Sequence, residues 1–279
     1  MNAPPSRPQG QGQVPASLVP ESGWHCSHFF YRWRRQAAAP ELLESGRRSF
    51  ISALEPDAEA RPERLQLYLI SGHKADFGVV MMDPDPLKLE RIHQTLLGGP
   101  LGPMIEPVWS FVSMSELSEY VPTVAQYRQR LIAGGETADS PQLEAKVTAY
   151  ERRLPMMAQQ RLSPDFPDWP VACFYPMNKM RQVGANWFAE PFSRRAAMMG
   201  EHAQSGIQFA GRVTQLVTVG VGLDDWEWMV TLWGKNPQYL KDIVYRMRFD
   251  EASAQYGQFG PFYLGYRQTA AEILSTCHI

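Results

Sequence analysis

Along residues 24–114 two spacings of apolar side chains take turns, and their order limits the fold more than any other property of the chain. HCSHFFYRWR from residue 25, LQLYLISGH at 65–73 and KADFGVVMM alternate with the period of half-buried strands. PELLESGRRSFISAL from residue 40 and PLKLERIHQTLL at 86–97 have helical spacing. VWSFVSMSELSEY adds a further strand. Strand, helix, strand, strand, helix, strand is the order of a ferredoxin-like α+β unit, with helices on one face of an antiparallel sheet.

The second half offers the same order. A helix over 141–160 is capped by Ser140 with Pro141 at its first position, DWPVACFYPM is a strand, and a helix over 191–204 ends at Gly206. RVTQLVTVGV and WEWMVTLW pair across GLDD, a long helix covers 237–256, and GPFYLGYRQ is a last strand. The expectation is α+β, with tandem ferredoxin-like units over 24–139 and 140–279. Residues 1–23, rich in Pro, Gly, Gln and Ser, form a disordered tail.

A net charge of -2 gives no reason to expect nucleic acid or an anionic membrane as partner. The three cysteines have neither metal-ligand nor redox spacing, which suits a reducing cytoplasm. No apolar run approaches the roughly 20 residues of a spanning helix, and no signal peptide precedes the fold, so a soluble cytoplasmic protein is expected.

Candidate chemistry gathers in residues 174–233. On the helix over 191–204, Phe192, Ala196, Met199 and Ala203 share a stripe with His202 at its border. Such a histidine is commonly satisfied by a carbonyl; alternatively it is a proximal ligand to haem iron, which one imidazole over an apolar cavity suffices to make. Alternation on the strand over 212–221 puts Gln215 with Val213, Val217, Val219 and Val221, either as a core amide or as a donor over a ligand. Trp226 and Trp228 would share a face of the next strand. Tyr175, at a strand end, is followed by Lys179; taken alone, this pair is no more than structural.

The strings FYPMNKMR, NWF, FAGRVTQ, GLDDWEWMVTLW and YRMRFDEASAQYGQFGPFYLG, with EH on the intervening helix, together resemble the coproheme decarboxylases of the chlorite dismutase superfamily. The likeness covers nearly everything after the tail. It implies paired ferredoxin-like units closing a dimeric α+β barrel within one chain, a haem pocket in the C-terminal unit, and a homopentamer. It makes His202 the iron ligand, Tyr175 the tyrosine that becomes a radical, and Lys179 the assistant at the second propionate. Gln215 becomes the distal amide, and Arg161, Arg248 and Ser253 become propionate holders. Ile207 departs from the family, which commonly carries a basic residue there.

The implied reaction is the oxidation of iron-coproporphyrin III, substrate and redox cofactor at once, by hydrogen peroxide. Two propionates become vinyls, giving haem b and carbon dioxide, and a ferrochelatase is a transient partner. A haem carrier or sensor without turnover is one alternative. A chlorite dismutase-like peroxidase is another, disfavoured because a neutral amide at Gln215 cannot stabilise a departing anion as an arginine would.

Overall fold

The computed structural model describes residues 16–35, 40–57 and 59–279. Of the expected tail, residues 1–15 lie outside the described residues. Residues 16–23 lead into the first strand, and the Leu18 carbonyl accepts from His25 Nε2 at 2.9 Å.

The chain runs through β1 (His25–Trp33), α1 (Pro40–Leu54), β2 (Arg64–Ser71), β3 (Phe77–Asp83), α2 (Pro86–Gly98) and β4 (Ile105–Met114). It continues through α3 (Val124–Ala133), α4 (Pro141–Leu162), β5 (Val171–Lys179), a small hairpin of β6 (Arg181–Gln182) and β7 (Ala185–Asn186), and α5 (Phe192–Ile207). β8 (Val213–Val219), β9 (Trp228–Gly234), α6 (Pro237–Met247), α7 (Glu251–Ala254), β10 (Gly257–Phe259), β11 (Tyr263–Arg267) and α8 (Ala270–Cys277) complete it. Local chemistry sets many of the boundaries. Asp85 caps α2 by accepting from Leu87 N–H with Pro86 in the first turn, and Ser140 caps α4 by accepting from Leu143 N–H. Thr123 with Gln126 and Thr269 with Glu272 form capping boxes that start α3 and α8, two helices that apolar spacing does not announce.

Nine strands form one antiparallel sheet in the order β10-β5-β11-β2-β3-β1-β4-β8-β9, and β5 also pairs with β9. The α+β class holds, but the tandem units closing a dimeric barrel are not what is found. The two halves share one continuous sheet through β2 and β11, and eight of its strands bend into a partial ring. The seam between β4 and β8 is a single residue pair, Met114 with Val219. Its physical cause is local: Val112 N–H is taken by Asp224 Oδ2 at 2.9 Å, so a side chain occupies a main-chain donor that the ladder would use, while Ser113 Oγ donates to Thr218 Oγ1 at 2.8 Å and ties the two strands through side chains.

Three larger cores follow from strand alternation. One lies between the first-half strands and α1, α2 and α8, around Phe50, Phe77 and Ile273. A second fills the inside of the ring, around Phe30, Tyr68, Phe174 and Trp233. The third lies between the outer face of β5, β8 and β9 and helix α6, around Tyr175, Val230, Leu232 and Ile243. Among the described residues no helix is long and apolar enough to cross a membrane.

The expected 237–256 helix is broken. Asp250 takes an extended conformation (φ -68°, ψ 137°) and its side chain makes no capping bond, because it is directed at α5 instead. The expected pairing of Trp226 with Trp228 on one face is also corrected. β9 begins at Trp228, and Trp226 packs with the core inside the ring.

Candidate functional site

Strand β5 delivers two side chains to the outer face. Tyr175 is 6% exposed and lies flat on Phe262, with ring centroids 4.4 Å apart and planes 19° apart, and Phe259 tilts against it at 5.9 Å. Among the described residues its hydroxyl has no hydrogen-bond partner. Burial pushes the phenol well above its usual pKa, opposed by the nearby Arg248 charge, so Tyr175 stays protonated. Four residues on, Lys179 Nζ donates to the Ala252 carbonyl at 3.0 Å and sits 4.3 Å above the Trp187 ring. Burial lowers its pKa to about 8.

Helix α5 delivers His202, on a face other than the expected apolar stripe. The buried positions of α5 are Met198 and Ser205, with His202 half-buried between them, whereas Phe192 and Ala203 are exposed. A buried carboxylate explains the rotation. His202 Nδ1 donates to Asp250 Oδ2 at 3.1 Å, and Asp250, 0% exposed, also accepts from Ser205 Oγ at 2.6 Å and Arg246 at 3.3 Å. Burial lowers the imidazole's pKa and Asp250 opposes the shift, while the Lys179 charge adds to it. The result is a neutral ring whose proton sits on Nδ1, leaving Nε2 as a lone-pair donor. Among the described residues no three His, Cys, Asp or Glu side chains converge, so a metal bound at His202 would bring its other ligands with it.

Of the remaining candidates, Arg248 and Ser253 lie beside residues that touch Tyr175 and Lys179, whereas among the described residues no contact joins Arg161 or Gln215 to them. Arg248, at the end of α6, is exposed and lies 4.4 Å over the Phe259 ring, the ring that also touches Tyr175. Ser253, half-buried, follows the Ala252 whose carbonyl holds Lys179. Gln215 shares the β8 face of Val213 and Val217, side chains of the third core, but is itself exposed; Val221, expected on that strand, lies beyond it. Arg161, in the last turn of α4, is half-buried with a pKa lowered by burial and has no polar partner among the described residues. Ile207 is 63% exposed at the end of α5. Sequence reasoning missed Asp250, Ser205, Arg246, Trp187 and Phe262. Of these, only Asp250 carried a signal, an acid inside a supposed amphipathic helix.

The family profile described as chlorite dismutase matches residues 41–268, more than half of the chain. The chain belongs to the chlorite dismutase family. Among curated members, the coproheme decarboxylase of Oceanobacillus iheyensis is 33% identical over 260 residues, covering 89% of this chain and 93% of that protein. Provisionally named heme-binding proteins of Haloarcula marismortui and Haloquadratum walsbyi are 30% and 33% identical over 91% of this chain. The chain spans only 36% and 45% of their lengths. Of solved structures, a heme-binding protein from Thermus thermophilus superposes with a TM-score of 0.75 at 30% identity, covering 92% of this chain and 96% of that one. A chlorite dismutase from Candidatus Nitrospira defluvii superposes at 0.62 with 18% identity, a likeness of fold.

Proposed function

We propose that this family member is a coproheme decarboxylase, which binds iron-coproporphyrin III as substrate and converts two of its propionates to vinyls. The observation that carries the proposal is Tyr175: a buried, protonated phenol with no hydrogen-bond partner among the described residues, on the sheet face that also bears Lys179 and lies beside Arg248. The residues suit an iron porphyrin with carboxylate arms. His202 offers one ligand atom on an imidazole oriented by a buried carboxylate. Arg161 and Arg248 are cations without an acidic partner among the described residues.

Bound coproheme with hydrogen peroxide supplies the oxidising equivalents, two electrons per propionate and one peroxide reduced to water each time. Tyr175 gives up an electron and its proton, and the resulting phenoxyl takes a hydrogen atom from the propionate β-carbon, which restores the phenol. Loss of a second electron and of the carboxyl as carbon dioxide leaves the vinyl. Positioning dominates this step, since the phenol oxygen must reach that carbon; stacking on Phe262 fixes the ring plane. Lys179, Arg161, Arg248 and Ser253 compensate the desolvation of the carboxylates. Gln215, a neutral amide, orients a small distal ligand, whereas chlorite chemistry would be served better by a guanidinium.

The test is Tyr175→Phe in the full chain loaded with coproheme and titrated with peroxide, with products resolved by mass spectrometry. Wild type loses two carboxyl groups and the variant binds coproheme but loses none. A wild-type protein that binds coproheme without losing mass would be a carrier, and a Tyr175→Phe variant as fast as wild type would remove the radical role.

A further inference from the structure

β5 and β9 pair over seven positions, ending at Met177 opposite Trp228. Past that point side chains replace the ladder on both strands. Glu227 N–H donates to Asn178 Oδ1 at 2.7 Å, and Lys179 N–H donates to Glu227 Oε2 at 2.9 Å. The carboxylate is 5% exposed, and its other oxygen pairs with Arg181, whose side chain is largely in solvent. On its opposite edge the same strand end is held by β10, where Lys179 faces Gly257, and by Met180 N–H donating to the Tyr256 carbonyl at 2.8 Å.

Seven ladder pairs hold the two strands without Glu227, so its bonds add little to the sheet itself. They govern the residues just beyond it. A buried carboxylate is a costly way to satisfy one main-chain N–H, which points to a demand for position. Lys179 is where that demand arises: its amine reaches other elements, to the Ala252 carbonyl and the Trp187 face.

We propose that Glu227 is a positioning residue for Lys179, fixing the main chain from which the amine reaches the substrate's propionate. The catalytic consequence rests on the decarboxylase reading; the positioning does not. Without the carboxylate, the Lys179 N–H turns to water and the strand end loosens on that edge. A displacement of about 1 Å at a reacting group costs on the order of a hundredfold in rate. Glu227→Gln keeps an acceptor oxygen for Lys179 N–H and gives up mainly the ion pair to exposed Arg181, which contributes little.

Two measurements on the full chain test this. In the first, without coproheme, acetic anhydride labels amines and peptide mass spectrometry follows Lys179. E227A should acylate there faster than wild type, and E227Q at the wild-type rate; a folded E227A that labels at the wild-type rate overturns the proposal. In the second, coproheme and peroxide are mixed and quenched. E227A should accumulate the singly decarboxylated product, with the second loss slowed about tenfold or more while coproheme Kd stays within about twofold, and E227Q should recover. Both losses at the wild-type rate in E227A, or equal slowing in E227A and E227Q, also overturn it. If wild type binds coproheme but removes no carboxyl, the decarboxylase reading falls and the labelling alone decides the role of Glu227. Should E227A fail to fold, Asn178→Ala removes the other limb of the clamp and is judged by the same outcomes.

Discussion

His202 Nδ1 lies 3.1 Å from Oδ2 of Asp250, a carboxylate fully shut from solvent, and the two residues are 48 positions apart in the chain. That bond selects the tautomer that leaves Nε2 available. Asp250→Asn should lower the electron donation of the ring. The iron–histidine stretch of the ferrous haem complex, read by resonance Raman, should move to lower frequency, and haem affinity should fall about tenfold or more. Asp250→Ala, which removes three hydrogen bonds and leaves the buried Ser205 hydroxyl unpaired, should also destabilise the apo chain by about 2 kcal/mol in urea unfolding.

Lys179 gives a pH signature. Its amine is charged up to pH 10.5 in the unfolded chain but only to about 8 in the fold. Between those values the unfolded chain holds more protons, so rising pH favours the folded state. Unfolding free energies of wild type and Lys179→Met, measured across that window, should diverge, with wild type gaining stability relative to the variant as pH increases.

A second histidine behaves in the opposite pH range. His28, inside the ring, contacts Thr231 Oγ1 through Nε2 at 2.8 Å and meets the Phe174 ring at 5.9 Å; burial lowers its pKa to about 3. Its unfolded value is 6.5, so the stability it contributes is complete above 6.5 and lost as pH falls toward 3. His28→Gln should flatten the acid limb of the stability curve, seen as a lower midpoint pH in acid unfolding followed by tryptophan fluorescence.

Arg161 tests anion binding directly. A half-buried guanidinium without a polar partner contributes little to the apo fold, so Arg161→Gln should leave the melting temperature nearly unchanged. Coproheme should bind about tenfold more weakly or worse, whereas an iron porphyrin lacking carboxylates should bind as it does to wild type. Equal weakening for both porphyrins would deny Arg161 a carboxylate.

The strands of the sheet were legible because burial on one or both faces imprints alternation or an apolar run: β1, β3 and β9 are nearly continuous in buried residues. α3 was not, since no residue on it is buried and no stripe arises. α8 is short, and its signal is the capping box at Thr269. The candidate site was least legible where a polar group is the buried one. The face of α5 was assigned by apolar spacing, yet Ser205 and His202 turn inward toward Asp250. Asp250 and Glu227 act through residues about fifty positions away, a pairing local periodicity cannot encode. The barrel expected from the family likeness became a partial ring because Asp224 takes the Val112 N–H of β4 at its seam.

Strand β5 places Phe174 inside the ring and Tyr175 on the outer face. Neighbouring residues on one strand therefore serve two separate cores, and their identities differ by a single oxygen. A one-residue insertion or deletion upstream in β5 would exchange them, which under the proposed function presents a redox-inert ring to the substrate, and would force a hydroxyl among Tyr68, Phe30 and Trp233. In lineages that retain the chemistry, length changes should accumulate in the loops before Val171 and spare the strand. In lineages that keep only binding, substitution at Tyr175 should be tolerated while Phe174, packed inside the ring, should stay apolar.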